Sequence, residues 1–320
     1  MRGLSFKAII ELAAPHTWGA SIVPVVLAAA FSLALHGRFA PLLFYSLLLT
    51  SIFLQCAVNT FNDYADFVKG VDTPENSDDP TDASIIYNRL DPKLAFCAGG
   101  AFLFLAFASG LYAIYTAGPV LVLFGAAGVA IVLLYSFGRS PISHLPLGEL
   151  VSGVAMGGVI PQACVYAFTG LVDWRIPLLS IPVIFTIGLI MLTNNGSDIE
   201  RDSQARRCTL PVFIGRRSTM ALHVVLTLVS MAVLCAAVLL YFRKGAFLLP
   251  LAVPLAAFPE SRILRGGLTP GARTLSMQNI IRLHWRLGFL YALMAAASAL
   301  PYISRPMDGT VLKWIQMIIN

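Results

Sequence analysis

The sequence predicts an all-α integral membrane protein in which about nine transmembrane helices form one bundle. Of its 320 residues, 58% are hydrophobic and 12% are charged, and the mean hydropathy is +0.78. A soluble domain carries about 25% charged residues, so this composition excludes a soluble enzyme. Because the helices of such a bundle pack as one unit, we expect a single domain over residues 1–320.

Nine apolar runs come close to the roughly 20 residues that a helix needs to cross a bilayer. They cover residues 19–35, 41–61, 94–116, 119–137, 147–169, 176–193, 219–242, 246–258 and 287–303. The eighth run is short and contains Pro250 and Pro254, so it is the least regular of the predicted spans. Apart from Glu149 at the start of the fifth run, no acidic residue lies inside these nine runs.

The distribution of basic residues predicts the orientation in the membrane. With nine spans, sixteen of the 22 Lys and Arg residues fall on the side that holds the N-terminus, and six fall on the other side. We therefore expect a multi-pass protein of the plasma membrane with a cytoplasmic N-terminus. The net charge of +6 is then a topology signal, and neither a nucleic-acid partner nor an obligate protein partner is expected.

Acidic residues concentrate in two places. Eight of the sixteen lie between Asp63 and Asp91, and three more lie between Asp198 and Asp202. The first cluster follows the second predicted span, and the second cluster follows the sixth. Both clusters are therefore expected at the cytoplasmic ends of their spans.

The first cluster predicts one polar helical face. Asn59, Asn62, Asp63 and Asp66 have the spacing i, i+3, i+4 and i+7, which places them on the same side of a helix. Asp72 follows just beyond the predicted helix end.

The second cluster has the same character. Asn194, Asp198 and Asp202 are spaced i, i+4 and i+8, with Asn195 beside them. On a continuous helix these residues also share one face. Polar residues at the end of a membrane helix can simply cap it, but two such faces on one side of the membrane favour a shared site.

Carboxylates near hydrocarbon are costly to keep ionised, so a cation is expected among them. Mg²⁺ suits this role because it binds one or two carboxylates together with substrate phosphates. Two such faces opposed across a cavity predict Mg²⁺ ions that bridge to a diphosphate. Lys69, Arg206 and Arg207 are candidates to meet the remaining phosphate charge.

At these residues the sequence resembles the UbiA superfamily of intramembrane prenyltransferases. Asn59, Asn62, Asp63 and Asp66 match its first motif, and the second motif, Asp-x-x-x-Asp, begins at Asp198. The resemblance covers nearly the whole chain. It implies a nine-helix bundle around a central cavity, with Mg²⁺ as the cofactor and a prenyl diphosphate as one substrate.

Within the superfamily, the sequence is most similar to 1,4-dihydroxy-2-naphthoate prenyltransferases of menaquinone synthesis. Tyr135-Ser136, Pro141 and the segment Leu147-Gly148-Glu149 carry this similarity, as does the segment from Asn194 to Leu210. Differences from that branch also occur. They are Ala14, Arg139, Arg206 and an acidic loop at residues 74–83.

The resemblance implies roles for particular residues. The implied catalytic residues are Asp63, Asp66, Asp198, Asp202 and Glu149. The implied residues for binding the diphosphate or a small aromatic acceptor are Lys69, Arg139, Arg206, Arg207, Tyr135 and Asn195. The implied metal ligands are Asn59, Asn62, Asp63, Asp66, Asp72, Asn194, Asp198 and Asp202. Phe61, Tyr64 and Tyr135 are candidates to stabilise an allylic cation.

Several alternatives stay open. Glu149 either anchors or deprotonates the acceptor, or it only favours a helix N-terminus. His16 and His144 either assist proton transfer or lie at the interface. The acceptor could also be another aromatic acid, haem or a glycerol-phosphate compound. A membrane transporter is the rival from another class, and it predicts acids near mid-membrane.

Overall fold

A computed structural model describes residues 3–73 and 83–299, which form helices joined by short loops and contain no β-strand. The helices are α1 (Phe6–Ala13), α2 (Gly19–His36), α3 (Pro41–Val68), α4 (Ser84–Asn88), α5 (Pro92–Ala117), α6 (Val120–Ser136), α7 (Gly148–Val154), α8 (Ile160–Thr169), α9 (Arg175–Leu179), α10 (Ile181–Ser197), α11 (Ile199–Gln204), α12 (Leu210–Ile214), α13 (Arg216–Tyr241), α14 (Leu249–Gly266) and α15 (Arg273–Ser298). The π-helical segment Ala155–Val159 joins α7 to α8. Nearly all of the acidic loop, and the end of the ninth predicted span, lie outside the described residues.

The all-α membrane fold is confirmed. In the described part of the chain, six helical segments are long and apolar enough to cross a bilayer. They are Gly19–His36, Pro41–Val68, Pro92–Ala117, Gly148–Thr169, Arg216–Tyr241 and Arg243–Gly266. The shorter apolar helices α6 and α10 and the 26-residue helix α15 pack beside them. The exact count of nine spans stays a prediction.

The helix α3 is longer than its predicted span. The apolar run ends at residue 61, but the helix continues to Val68, so Asp63 and Asp66 lie on its last two turns. The chain then turns through Gly70, which has a φ of +70° that glycine adopts without strain. The amide of Asp72 donates to the carbonyl of Asp66 at 3.3 Å, so this turn returns Asp72 to the first cluster.

The predicted continuous helix through the second cluster is wrong. The helix α10 ends at Ser197, and Asp198 has a non-helical backbone with φ −109° and ψ 18° before α11 begins. Gly196 and Asp198 both have poor helix propensity, which explains a break at this point. Asn194, Asp198 and Asp202 therefore come from a helix, a joint and a second short helix.

Small residues allow α7 and the π-helical segment that follows it to touch α10 through their backbones. A Cβ atom added to Gly153 would lie 2.5 Å from the carbonyl oxygen of Ile184, and one added to Gly157 would lie 2.6 Å from its Cα. This Gly-x-x-x-Gly spacing is typical of membrane helices that approach closely. The contact holds the Glu149 segment beside the helix that carries Asn194 and Asn195.

A buried polar network joins α10, α13 and α14. His223 Nδ1 lies 2.8 Å from Glu260 Oε1, and His223 Nε2 lies 3.0 Å from Thr193 Oγ1. Thr227 donates to the other oxygen of Glu260 at 3.1 Å. The expectation that no acid lies inside a span is wrong here, because α14 continues past residue 258 and places Glu260 within it. The network therefore fixes the position of α10 next to the second cluster.

Replacement of Gly157 by alanine is expected to lower stability by about 1–3 kcal/mol, because the new methyl group would overlap the backbone of Ile184. Gly100 provides a matched control, since it is exposed on α5 and a Cβ there would meet no atom within 4 Å. Thermal unfolding of both variants in detergent tests this. Equal unfolding midpoints for G157A and G100A would contradict the close contact between the π-helical segment and α10.

Candidate active site

Both acidic clusters face one cavity of about 1160 Å³ at one end of the bundle. In the described part of the chain, five aspartates contribute to its wall, and they are Asp63, Asp66, Asp72, Asp198 and Asp202. Asn59, Asn62, Asn194 and Asn195 line the same space. The structure therefore brings together every residue predicted as a metal ligand.

The rest of the cavity is apolar. It extends from the acidic end between α3, α5, α6 and α8, where leucine, valine, alanine and glycine residues form most of the wall. Gly110 and Ala113 of α5 face it from one side, and Gly125 and Gly128 of α6 face it from another. This combination of a polar end and a long apolar space suits an amphipathic ligand with an anionic head and a hydrocarbon tail.

The first cluster is tightly held. Asn62 donates from Nδ2 to Asp66 Oδ2 at 3.0 Å, while its Oδ1 is buried and accepts no hydrogen bond. Asp63 and Asp66 are 8% and 6% exposed. Asn59 is engaged elsewhere, because it donates to Thr17 Oγ1 at 2.9 Å and accepts from Gln55 at 3.0 Å.

Arg273 binds two members of the second cluster. Its Nε donates to Asp198 Oδ2 at 2.9 Å, and its Nη2 donates to Asn194 Oδ1 at 2.7 Å. Asp202 accepts from Thr209 Oγ1 at 3.1 Å. The pKa of Asp202 is raised to about 6, mainly by burial and to a smaller extent by the neighbouring Asp198, while Arg207 opposes the shift.

Arg207 links the two clusters. Its Nη1 lies 3.5 Å from Asp66 Oδ2, and its Nε lies 3.5 Å from Asp202 Oδ1. Burial alone would lower the pKa of Arg207, but the two carboxylates outweigh it and raise the pKa, so the guanidinium stays charged. Arg201 forms an ion pair with Asp72 and so makes a second bridge between the clusters.

The donor set fits Mg²⁺. All the candidate ligands offer carboxylate or amide oxygens, and the unpartnered buried Oδ1 of Asn62 is available to a hard cation. Among residues 3–73 and 83–299, no three His, Cys, Asp or Glu side chains converge closely enough to hold a metal by themselves.

A second polar group lies beside the metal-type donors. Asn195 lines the cavity and donates to Glu149 Oε1 at 2.8 Å, while Glu149 Oε2 is buried and accepts no hydrogen bond. Glu149 is 6% exposed and stands behind Asn195. Tyr135 and Ser152 form the neighbouring wall.

Other predicted residues lie elsewhere. Arg139 and Arg206 are exposed and do not line the cavity. Lys69 donates to the carbonyl of Ser136 at 3.0 Å and also lies outside the cavity wall. Phe61 and Tyr64 pack against Phe96 and Phe137, away from the cavity.

The two histidines considered earlier both reach the acidic end. His16 lines the cavity, and His144 Nε2 lies 3.7 Å from Asp66 Oδ1. Ala14, one of the departures from the related branch, also lines the cavity and has a φ of +47°.

Sequence reasoning missed Arg201 and Arg273 as site residues. Arg201 lies between Asp198 and Asp202, so its position in the motif was a usable signal. Arg273 is remote in sequence from both clusters, and its place among other arginines of the last helix indicated only membrane topology.

Comparison with known proteins agrees with this geometry. The chain is 34% identical over 212 residues to the 1,4-dihydroxy-2-naphthoate octaprenyltransferase of Bacillus subtilis, which covers 66% of this chain and 67% of that protein. It is 28% identical over 304 residues to the UbiA prenyltransferase domain-containing protein 1 homolog of Drosophila melanogaster, covering 90% and 79% of the two chains.

A solved structure has the same fold. The UbiA homolog from Archaeoglobus fulgidus bound to GPP and Mg²⁺ superimposes with a TM-score of 0.60, at 16% identity, over 93% of this chain and 100% of that one. The profile of the UbiA prenyltransferase family matches residues 21–279. The chain is therefore a member of the UbiA prenyltransferase family of membrane enzymes.

Proposed function

We propose that the enzyme transfers a polyprenyl group from its diphosphate to 1,4-dihydroxy-2-naphthoate in a Mg²⁺-dependent reaction. The observation that carries this proposal is the single cavity in which two acidic clusters face each other beside a long apolar space. The activity named for the Bacillus subtilis relative supports the choice of acceptor.

Asp63, Asp66, Asp198 and Asp202 are the proposed principal Mg²⁺ ligands, with Asn59, Asn62, Asp72 and Asn194 around them. Bound Mg²⁺ supplies positive charge to the diphosphate head. Arg207 lies between the two clusters and is placed to stabilise the charge that builds on the diphosphate as the bond between its oxygen and the allylic carbon breaks.

Glu149 and Asn195 are the proposed acceptor site. Glu149 lies behind Asn195 and does not itself line the cavity, so the proposal requires an acceptor hydroxyl to reach past Asn195 to its second carboxylate oxygen. Transfer of the hydroxyl proton to Glu149 makes the aromatic ring more electron-rich. The ring carbon that bears the carboxylate then bonds to the allylic carbon and CO₂ leaves. The proton returns from Glu149 to the ring oxygen, so no proton is released overall. The apolar walls limit the access of water to the allylic cation.

We propose that the whole chain forms one domain in the plasma membrane and that the acidic end of the cavity faces the cytoplasm. The excess of Lys and Arg on that side supports this orientation.

Conversion of Asp63 or Asp198 to asparagine is expected to reduce prenyl transfer by roughly 100-fold or more, because each change removes an anionic Mg²⁺ ligand. Product formation would be measured in detergent or lipid with Mg²⁺, a labelled prenyl diphosphate and a panel of acceptors. Glu200→Gln is the control, since Glu200 is exposed and pairs with Arg216 outside the cavity. Product from another acceptor alone would overturn the naphthoate assignment. Full activity in D63N and D198N would overturn the proposed metal site.

Glu149→Gln is expected to slow turnover of the acceptor by about 100-fold, because the amide cannot take up a proton. Binding of the prenyl diphosphate should stay within about threefold of wild type, since Glu149 does not line the cavity and its side chain bonds to Asn195 rather than to a proposed Mg²⁺ ligand. Steady-state kinetics with varied acceptor and titration calorimetry with the diphosphate separate the two effects. Normal turnover would assign Glu149 to helix structure only.

A further inference from the structure

Arg273 is the first residue of α15 and reaches the second cluster from a separate part of the chain. Its side chain is 16% exposed and contacts Asp198 and Asn194 with two different N–H groups. Thr274 and Gln278 of the same helix also line the cavity. The start of α15 is thus part of the wall around the diphosphate end.

The contacts of Arg273 use oxygens that the proposed metal site needs. Asp198 Oδ2 and Asn194 Oδ1 both accept from the same guanidinium. A divalent cation and a guanidinium compete for such oxygens because both bind through their positive charge. When Mg²⁺ arrives with a diphosphate, Arg273 therefore loses these acceptors but gains new anionic oxygens in the same space.

We propose that Arg273 is a diphosphate-binding residue that serves as the counter-ion of the second cluster until substrate arrives. Asn194 and Asp198 would then hold the Mg²⁺ through these oxygens, and the guanidinium of Arg273 would donate to the phosphate oxygens instead. A planar guanidinium suits this exchange, because it can donate to two oxygens at once in either state. The inference rests on the proposed function, since it assumes a Mg²⁺–diphosphate substrate.

This exchange predicts that substitution of Arg273 affects the binding of pyrophosphate and of a divalent metal ion differently. Arg273→Gln should weaken binding of inorganic pyrophosphate in the presence of Mg²⁺ by about tenfold or more, because a charge-assisted phosphate contact is lost. Binding of Mn²⁺ alone, as a probe for Mg²⁺, should stay equal or become tighter because a competing cation has been removed. Arg273→Lys keeps the positive charge but lacks the planar guanidinium, so its affinity for pyrophosphate should lie between those of the wild type and Arg273→Gln.

Titration calorimetry with pyrophosphate and paramagnetic resonance of bound Mn²⁺, both on the purified full chain, measure these effects without turnover. Arg282→Gln is the matched control, because Arg282 is exposed on the same helix and does not line the cavity. Thermal unfolding identifies variants with damaged folds.

The outcomes separate the two proposals. Pyrophosphate affinity of R273Q within twofold of wild type would overturn the role of Arg273 while leaving the proposed function intact. Parallel weakening of pyrophosphate and Mn²⁺ together with a lower unfolding midpoint would also overturn it, since that pattern indicates only a structural ion pair. Failure of the wild-type protein to bind pyrophosphate with Mg²⁺ would overturn both.

Discussion

The structure depends on a balance of charge at one end of a membrane bundle. Five aspartates of the described chain lie around a single cavity, where burial makes each ionised carboxylate expensive. Arg201, Arg207 and Arg273 offset that cost, and each comes from a different segment. Three backbone features bring these arginines and aspartates together: the turn after α3, the joint at Asp198 and the start of α15.

The apolar part of the bundle serves this arrangement by fixing α10. On one side, Gly153 and Gly157 let the backbone of α10 approach closely. On the other side, the network of His223 and Glu260 reaches Thr193, the residue before Asn194. Helix α10 is thus held from both sides just before it delivers the second cluster, which limits how far that cluster can shift.

Much of the site could be predicted from sequence because its residues follow helical spacing. Asn62, Asp63 and Asp66 share a face and all reach the cavity, as their spacing of three and four residues indicated. The break at Asp198 was not predicted, since helical spacing alone does not show where a helix ends.

Contacts between distant segments escaped sequence reasoning almost entirely. Arg273 reaches its partners only through the packing of α15, and no local pattern marks it. The exposure of Arg139 and Arg206 could not be predicted for the same reason. The sequence near an acidic motif does not show whether a basic side chain points into the cavity or to the surface. Glu260 was missed because hydropathy declines before α14 ends.

The network of His223, Glu260 and Thr193 also has a consequence for biogenesis. A membrane protein is synthesised from its N-terminus, so α10 and α13 enter the bilayer before α14 has been made. During that interval His223 lacks the carboxylate that later faces it, so the buried hydrogen bonds of this network can form only after α14 has been inserted. The helix α10, which carries Asn194 and Asn195, is therefore fixed on this side only late in synthesis, once α14 has been inserted.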